Sequence, residues 1–120
     1  MFKFEQLEVW HEAAALTAKV NAFRLDFPAT ENYVLGSQVQ RAADSVALNI
    51  AEGCTLQSDK EFLRFLVMFN RSAIEVCACL KLAILREVGD KDSAEALLAL
   101  YEKLIIRIQA LMKHLRSRMA

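Results

Sequence analysis

Two histidines and their acidic neighbours are the first candidates for chemistry in this 120-residue sequence. Glu8 and His11 form a Glu-x-x-His, the spacing that di-iron helical bundles use to place two ligands on one helix face. Such sites also need a second copy of the motif and carboxylates from the other helices. The second histidine, His114, has Leu111 three residues before it instead of a glutamate. We therefore predict no metal, no cofactor and no catalytic residue.

The remaining motifs do not indicate an enzyme either. The three cysteines, Cys54, Cys77 and Cys79, lack the spacing of a zinc site. The sequence has no glycine-rich phosphate loop and no serine–histidine–aspartate set. We expect free thiols in a reducing cytosol, and hence a cytoplasmic protein. The apolar runs are too short to span a membrane, and the N-terminus does not resemble a secretory signal.

A polar stripe on the second predicted helix is the candidate interaction site. At 3.6 residues per turn its members share about 80° of arc beside the core positions. Hydroxyl and amide groups placed there are able to hydrogen-bond to another helix or to another subunit. The alternative is that the stripe is an ordinary, partly solvated flank of the helix. The helix dipole disfavours an acid at the C-terminal position of Glu52, so we expect Arg41 or Arg64 beside it. The stripe comprises Gln38, Arg41, Ser45, Asn49 and Glu52.

Helical periodicity runs through nearly the whole sequence, which contains only three glycines and one proline. Phe27–Pro28, Gly53 and Gly89 separate the segments, with Gly53 as the expected helix stop. The capping box at Ser58–Glu61 marks the start of the third segment. Short connections make successive helices antiparallel. The prediction is one all-α domain over residues 1–120, an up-down-up-down antiparallel four-helix bundle with helices at about 4–26, 31–52, 59–87 and 93–117.

The third predicted helix indicates self-association. Between Phe62 and Val88, 19 of 27 residues are apolar. A helix in a monomeric bundle needs only about a third to a half of its circumference apolar. We therefore predict a homo-oligomer with this helix in the subunit contacts. The alternative is a monomer with one exposed apolar patch.

The charge balance argues against a domain built to bind polyanions, because fifteen Lys and Arg offset fifteen Asp and Glu. The end of the fourth helix differs, since no acid follows Glu102. Its cations complement the negative end of the helix dipole, and in a ring of subunits they would repeat as a basic rim. RNA or DNA binding by this rim, strengthened by multivalency, is the alternative function. The residues concerned are Lys103, Arg107, Lys113, Arg116 and Arg118.

The segment from Gln38 to Gly53 resembles the signature of the four-helix-bundle family of 23S rRNA intervening-sequence proteins. Val9-Trp10, Phe27–Pro28 and Ser58–Phe65 resemble flanking parts of that family. The resemblance implies a small bundle that assembles as a pentameric barrel. Related accessory variability determinant proteins are strongly basic and associate with RNA and a reverse transcriptase. This chain departs from them, having zero net charge and Asn70–Arg71 where the family usually has a small residue and a glycine.

These patterns together predict a cytoplasmic, non-enzymatic bundle that self-assembles into a ring-like homo-oligomer. The resemblance makes a pentamer the favoured stoichiometry. Such a particle would serve as a scaffold or an adaptor, with a second protein as a further class of partner. Nucleic-acid binding by the basic C-terminal rim is the alternative.

Overall fold

A computed structural model describes residues 2–55 and 58–119. A 3-10 turn and two short helical turns accompany four long helices, and the described ranges contain no strand. The turns are Lys3–Gln6, Ala29–Glu31 and the π-helical Asn32–Gly36. The long helices are α1 (Glu8–Arg24), α2 (Ser37–Gly53), α3 (Asp59–Leu85) and α4 (Lys91–Met119).

Each long helix packs against two others, in the cyclic order α1, α2, α3, α4 and back to α1. Because short connections join the helices in this same order, neighbours run antiparallel. The predicted all-α, up-down-up-down bundle is thus confirmed. The tightest pairs are α2 with α3 and α3 with α4, whereas α1 and α4 pack least extensively.

The core is a continuous apolar cluster to which every long helix contributes. Along α4 the buried side chains recur at spacings of three and four, as near-parallel helix packing requires. Burying one large apolar side chain contributes about 1.5–3 kcal/mol relative to leaving it exposed. The α4 seam consists of Ala94, Leu97, Tyr101, Leu104, Ile108, Met112 and Leu115.

The N-terminus differs from the continuous helix expected from residue 4. Leu7 has an extended backbone, with φ −96° and ψ 120°, and separates the 3-10 turn from α1. The break brings the ring of Phe4 to 4.7 Å from that of Trp10, a contact that a straight helix would not make. Aromatic packing therefore overrides local helix propensity at this end.

The entry into α2 is fixed by a side-chain lock. Arg24 Nε donates to Asn32 Oδ1 at 2.8 Å, and Ser37 Oγ donates to the carbonyl oxygen of Asn32 at 3.2 Å. A Cβ at Gly36 would lie 2.3 Å from Asn32 Oδ1, so a larger residue would displace the lock. The chain is already helical from Ala29, slightly before the predicted start.

The starts of α3 and α4 are capped by side chains. Ser58 Oγ accepts from the Glu61 amide at 3.1 Å, as its capping box predicts. Asp90 Oδ2 accepts from the amide and the hydroxyl of Ser93 at 2.9 and 2.7 Å. These hydrogen bonds lower the pKa of Asp90 and start α4 two residues before the predicted position.

A Schellman motif ends α3. The Val88 amide donates to the carbonyl of Ala83 at 2.9 Å, and the Glu87 amide donates to that of Ile84 at 3.1 Å. Glu87 adopts φ 57°, a left-handed conformation that glycine usually supplies. Gly89 follows at φ 76°, and a Cβ there would lie 2.7 Å from the Phe27 ring.

We expect Glu87→Gly to stabilise the fold by about 0.5–1 kcal/mol, because it relieves left-handed strain outside the helix without removing a contact. Gly89→Ala is the matched opposite change and should destabilise by about 1–3 kcal/mol through strain and collision with Phe27. Urea unfolding monitored by circular dichroism measures both. Destabilisation by Glu87→Gly would contradict this account of the turn.

Candidate functional site

The centre of the polar stripe is an interhelical hydrogen-bond chain. Ser45 Oγ lies 2.9 Å from Ser72 Oγ of α3. Asn49 Nδ2 donates to the carbonyl oxygen and to the hydroxyl oxygen of Ser45, at 2.8 and 2.9 Å. Ser72 Oγ in turn donates to the carbonyl oxygen of Met68 at 3.3 Å.

The number of hydroxyl protons fixes the direction of each hydrogen bond in this network. Each hydroxyl has one hydrogen to donate, and that of Ser72 is directed to Met68. The Ser45 hydroxyl must therefore donate to Ser72 while it accepts from Asn49. All three side chains are half-buried, where a satisfied network strengthens the packing and an unsatisfied one weakens it. Both stripe residues therefore bond within the subunit: Ser45 bonds from α2 to α3, and Asn49 bonds to Ser45.

The other members of the stripe do not join this chain. Gln38, Arg41 and Glu52 are exposed on α2. Within residues 2–55 and 58–119, neither Arg41 nor Arg64 forms the ion pair expected with Glu52. Arg41 and Glu52 instead border a shallow depression of about 600 Å³ along α2. The stripe thus divides into an internal pair and an open, polar outer edge.

Gly53 ends α2 at the predicted position for a different reason. Its backbone is not in the left-handed region, which Gly89 occupies. A Cβ at Gly53 would lie 2.7 Å from the Cβ of Phe65 and 3.3 Å from the Phe62 ring. The glycine therefore permits close approach of α2 and α3 rather than providing a left-handed stop.

The Glu-x-x-His motif of α1 is engaged in other contacts. His11 Nε2 lies 2.6 Å from the carbonyl oxygen of Glu5, and Glu8 forms an ion pair with Arg107 at 3.3 Å. His114 is exposed on α4. In the part of the chain that is described, no three His, Cys, Asp or Glu side chains cluster as metal ligands.

Two of the five candidate cations on α4 are held by acids of other helices. Arg107 bridges Glu8 and Glu12 of α1, and Arg118 Nε lies 3.2 Å from Asp59 of α3. Lys103, Lys113 and Arg116 are exposed, and no ion pair is seen for them among the described residues. At 100° per residue Lys113 and Arg116 lie about 60° apart on one face, but the five cations together spread over roughly 200° of the circumference of α4, so they do not form one narrow strip.

Residues 5–110 match the family model of the 23S rRNA-intervening sequence protein. The chain belongs to this family. No curated protein matches the sequence. The match includes all of α2 with its polar stripe, and all of α3.

The three thiols of the chain are not in environments that activate cysteine. Cys54 and Cys79 are buried and Cys77 is half-buried, all as free thiols. Burial raises the pKa of each of the three groups, so they are protonated at neutral pH. Among the helices described, none is both long and apolar enough to cross a membrane.

Two exposed apolar surfaces lie outside the polar motifs. The first, here named the ridge, runs along the outer side of α3. The second, here named the groove, lies between α1 and α4 and consists of two adjoining cavities of about 300 and 350 Å³ that share Lys19 and Leu100. The ridge residues are Ile74, Ala78, Leu82 and Leu85. The small and apolar groove residues are Ala15, Ala22, Ala96 and Leu100.

We expect Ser45→Ala to destabilise the protein by about 1 kcal/mol, the usual worth of one satisfied hydrogen bond. A double-mutant cycle with Ser72→Ala should show a coupling of about 0.5–1 kcal/mol. Arg41→Ala, on the open edge, is the control and should combine additively with Ser72→Ala. Denaturant unfolding at fixed protein concentration gives each value. Additivity of Ser45→Ala with Ser72→Ala would contradict the hydrogen-bond chain.

Proposed function

We propose that this protein is a non-enzymatic, self-assembling scaffold that acts as a ring-like homo-oligomer. The observation that carries the proposal is the ridge on α3. Ile74 is 50% exposed, Leu82 40% and Leu85 78%, although each is a large apolar side chain. Soluble monomers seldom expose such side chains in one contiguous patch, and patches of this kind mark protein interfaces.

Helix geometry places these side chains on one face. Ile74, Ala78, Leu82 and Leu85 are separated by four, four and three residues, which keeps them on one side of a 3.6-residue helix. The opposite side of α3 holds fully buried core residues such as Phe69, Val76 and Leu80. Apolar positions therefore occupy two sides of the helix, and the bundle covers one of them. A second protein surface would cover the outer side.

Several site features support a scaffold rather than an enzyme. The half-buried polar groups of the stripe hydrogen-bond to each other and to Ser72. These bonds stabilise the packing of the helices. The acid and histidine of the α1 motif are held by Arg107 and by a backbone carbonyl. Free, protonated thiols suit a reducing compartment, so we place the particle in the cytoplasm. The resemblance to pentameric barrels makes five copies the favoured number.

Nucleic-acid binding is the less supported alternative. The ion pairs of Arg107 and Arg118 neutralise two of the five cations that would form the basic rim. Binding of a generic RNA by the remaining cations should weaken steeply with salt, because counterion release dominates such contacts. Arg116→Ala combined with Lys113→Ala should then abolish binding at low salt. Salt-independent binding, or none at low salt, would contradict this alternative.

The scaffold proposal is tested by the mass of the particle. We expect the wild-type chain to sediment as a multiple of 13.5 kDa at micromolar concentration. Leu82→Glu should shift it to the monomer, because burying an unpaired carboxylate in an apolar contact is costly. Leu48→Glu, at an exposed leucine of α2 that is 60% accessible, is the matched control and should leave the mass unchanged. A wild-type monomer would overturn the proposal.

A further inference from the structure

We infer that the subunits join head to tail, with the ridge of one copy packed into the groove of the next. This inference rests on the proposed self-association and adds which surfaces meet. The contact is heterologous, since each chain contributes two different surfaces. The first support is shape, because an apolar convex surface and an apolar concave one occur on the same chain.

The lining of the groove suits the close approach of a helix. Its α1 wall presents the exposed alanines Ala15 and Ala22, and its α4 wall presents Ala96 and Leu100. Helices approach to about 8 Å where the contact residues are small, and stay nearer 10 Å where they are large. The loose packing of α1 on α4 leaves this space open. Leucines of the ridge would fill it and bury apolar surface on both sides.

The ridge and the groove lie at similar distances from the same end of the bundle. The end of α1, the end of α3 and the start of α4 lie together, as the Phe23 and Phe27 rings beside Gly89 show. Leu82 and Leu85 lie within one turn of the end of α3, and Ala22 and Ala96 lie within two turns of that same bundle end. Two copies side by side, with parallel axes and no axial step, therefore bring the ridge opposite the groove.

Charges beside the two surfaces are complementary at the end of the bundle where α3 ends. Lys81 flanks the ridge there, and the groove cavity at that end is lined by Asp26, Asp90 and one cation, Lys19, which leaves an excess of acid. Parallel copies thus set Lys81 beside the acidic end of the groove. Such matching fixes register and orientation more than it adds affinity.

The positions of the surfaces around the bundle favour closure. Consider an idealised bundle viewed down its axis, with one helix at each corner. The outward direction of the α1–α4 side and that of the α3 corner differ by about 135°. If the ridge faces the α3–α4 side instead, the two outward directions differ by about 90°. A head-to-tail contact repeated between these limits, without an axial step, closes after roughly four to eight copies. This range agrees with the ring-like oligomer proposed above.

Mixing two singly defective variants tests the arrangement. Leu82→Glu disables the ridge and leaves the groove intact, whereas Ala96→Glu disables the groove and leaves the ridge intact. Each variant alone should be monomeric, and an equimolar mixture should form a two-chain species and nothing larger. Ala110→Glu, at an exposed alanine of α4 outside both surfaces, is the control and should keep the full particle. Circular dichroism establishes that each variant is folded.

Reversing one charge on each surface provides a second, independent test of the contact. Lys81→Asp and Asp26→Lys should each reduce the fraction of full-size particle, and their combination in one chain should restore it. A wild-type monomer would defeat the self-association itself. A wild-type oligomer that survives Ala96→Glu, or variants that neither pair on mixing nor show charge-reversal rescue, would overturn the ridge-in-groove contact alone.

Discussion

A helix in a four-helix bundle touches two neighbours, and this limits how much of its circumference the subunit is able to bury. The sequence of α3 exceeds that limit. Its inner side holds fully buried residues such as Phe69 and Leu80, while Ile74 and Leu85 remain exposed on the outer side. The excess cannot be removed by repacking within one chain, because both neighbouring positions are already occupied by α2 and α4. The proposed association would take this surface out of water.

The rest of the structure holds α3 firmly in place. Gly53 lets α2 approach Phe65 closely, and the Ser45–Ser72 hydrogen bond fixes the register of that approach. The turn after α3 packs Gly89 against Phe23 and Phe27, which joins the ends of α1 and α3. The ridge therefore stands on a helix anchored at both ends and along one side. A rigid surface loses less conformational freedom on association than a mobile one.

Much of the fold was predictable because helix periodicity and capping are local properties. Ser58 caps α3 through hydrogen bonds that span three residues, and sequence spacing reveals them directly. The break at Leu7 was missed because it depends on Phe4 meeting Trp10. The role of Gly53 was misjudged because a glycine after a helix suggests a left-handed cap, whereas its contact with Phe65 is tertiary. Likewise, the pairing of Arg107 with Glu8 and Glu12 joins distant parts of the chain, and no local pattern indicates it.

The polar stripe, too, was predictable in its local features and not in those that depend on tertiary contacts. Periodicity placed its five residues on one flank of α2 but did not divide them. Ser45 bonds to Ser72 of α3 and Asn49 bonds to Ser45, while Arg41 and Glu52 face solvent. The apolar count of α3 predicted excess hydrophobic surface, but the groove between α1 and α4 appears only when the two helices are assembled.

The most direct test of the central claim is the native mass of the untagged protein, purified at low salt without nuclease. Light scattering before and after nuclease treatment separates protein mass from bound nucleic acid. Self-association through the apolar surface predicts a mass that is a whole multiple of 13.5 kDa and unchanged by nuclease. A particle of 13.5 kDa at micromolar concentration would contradict it.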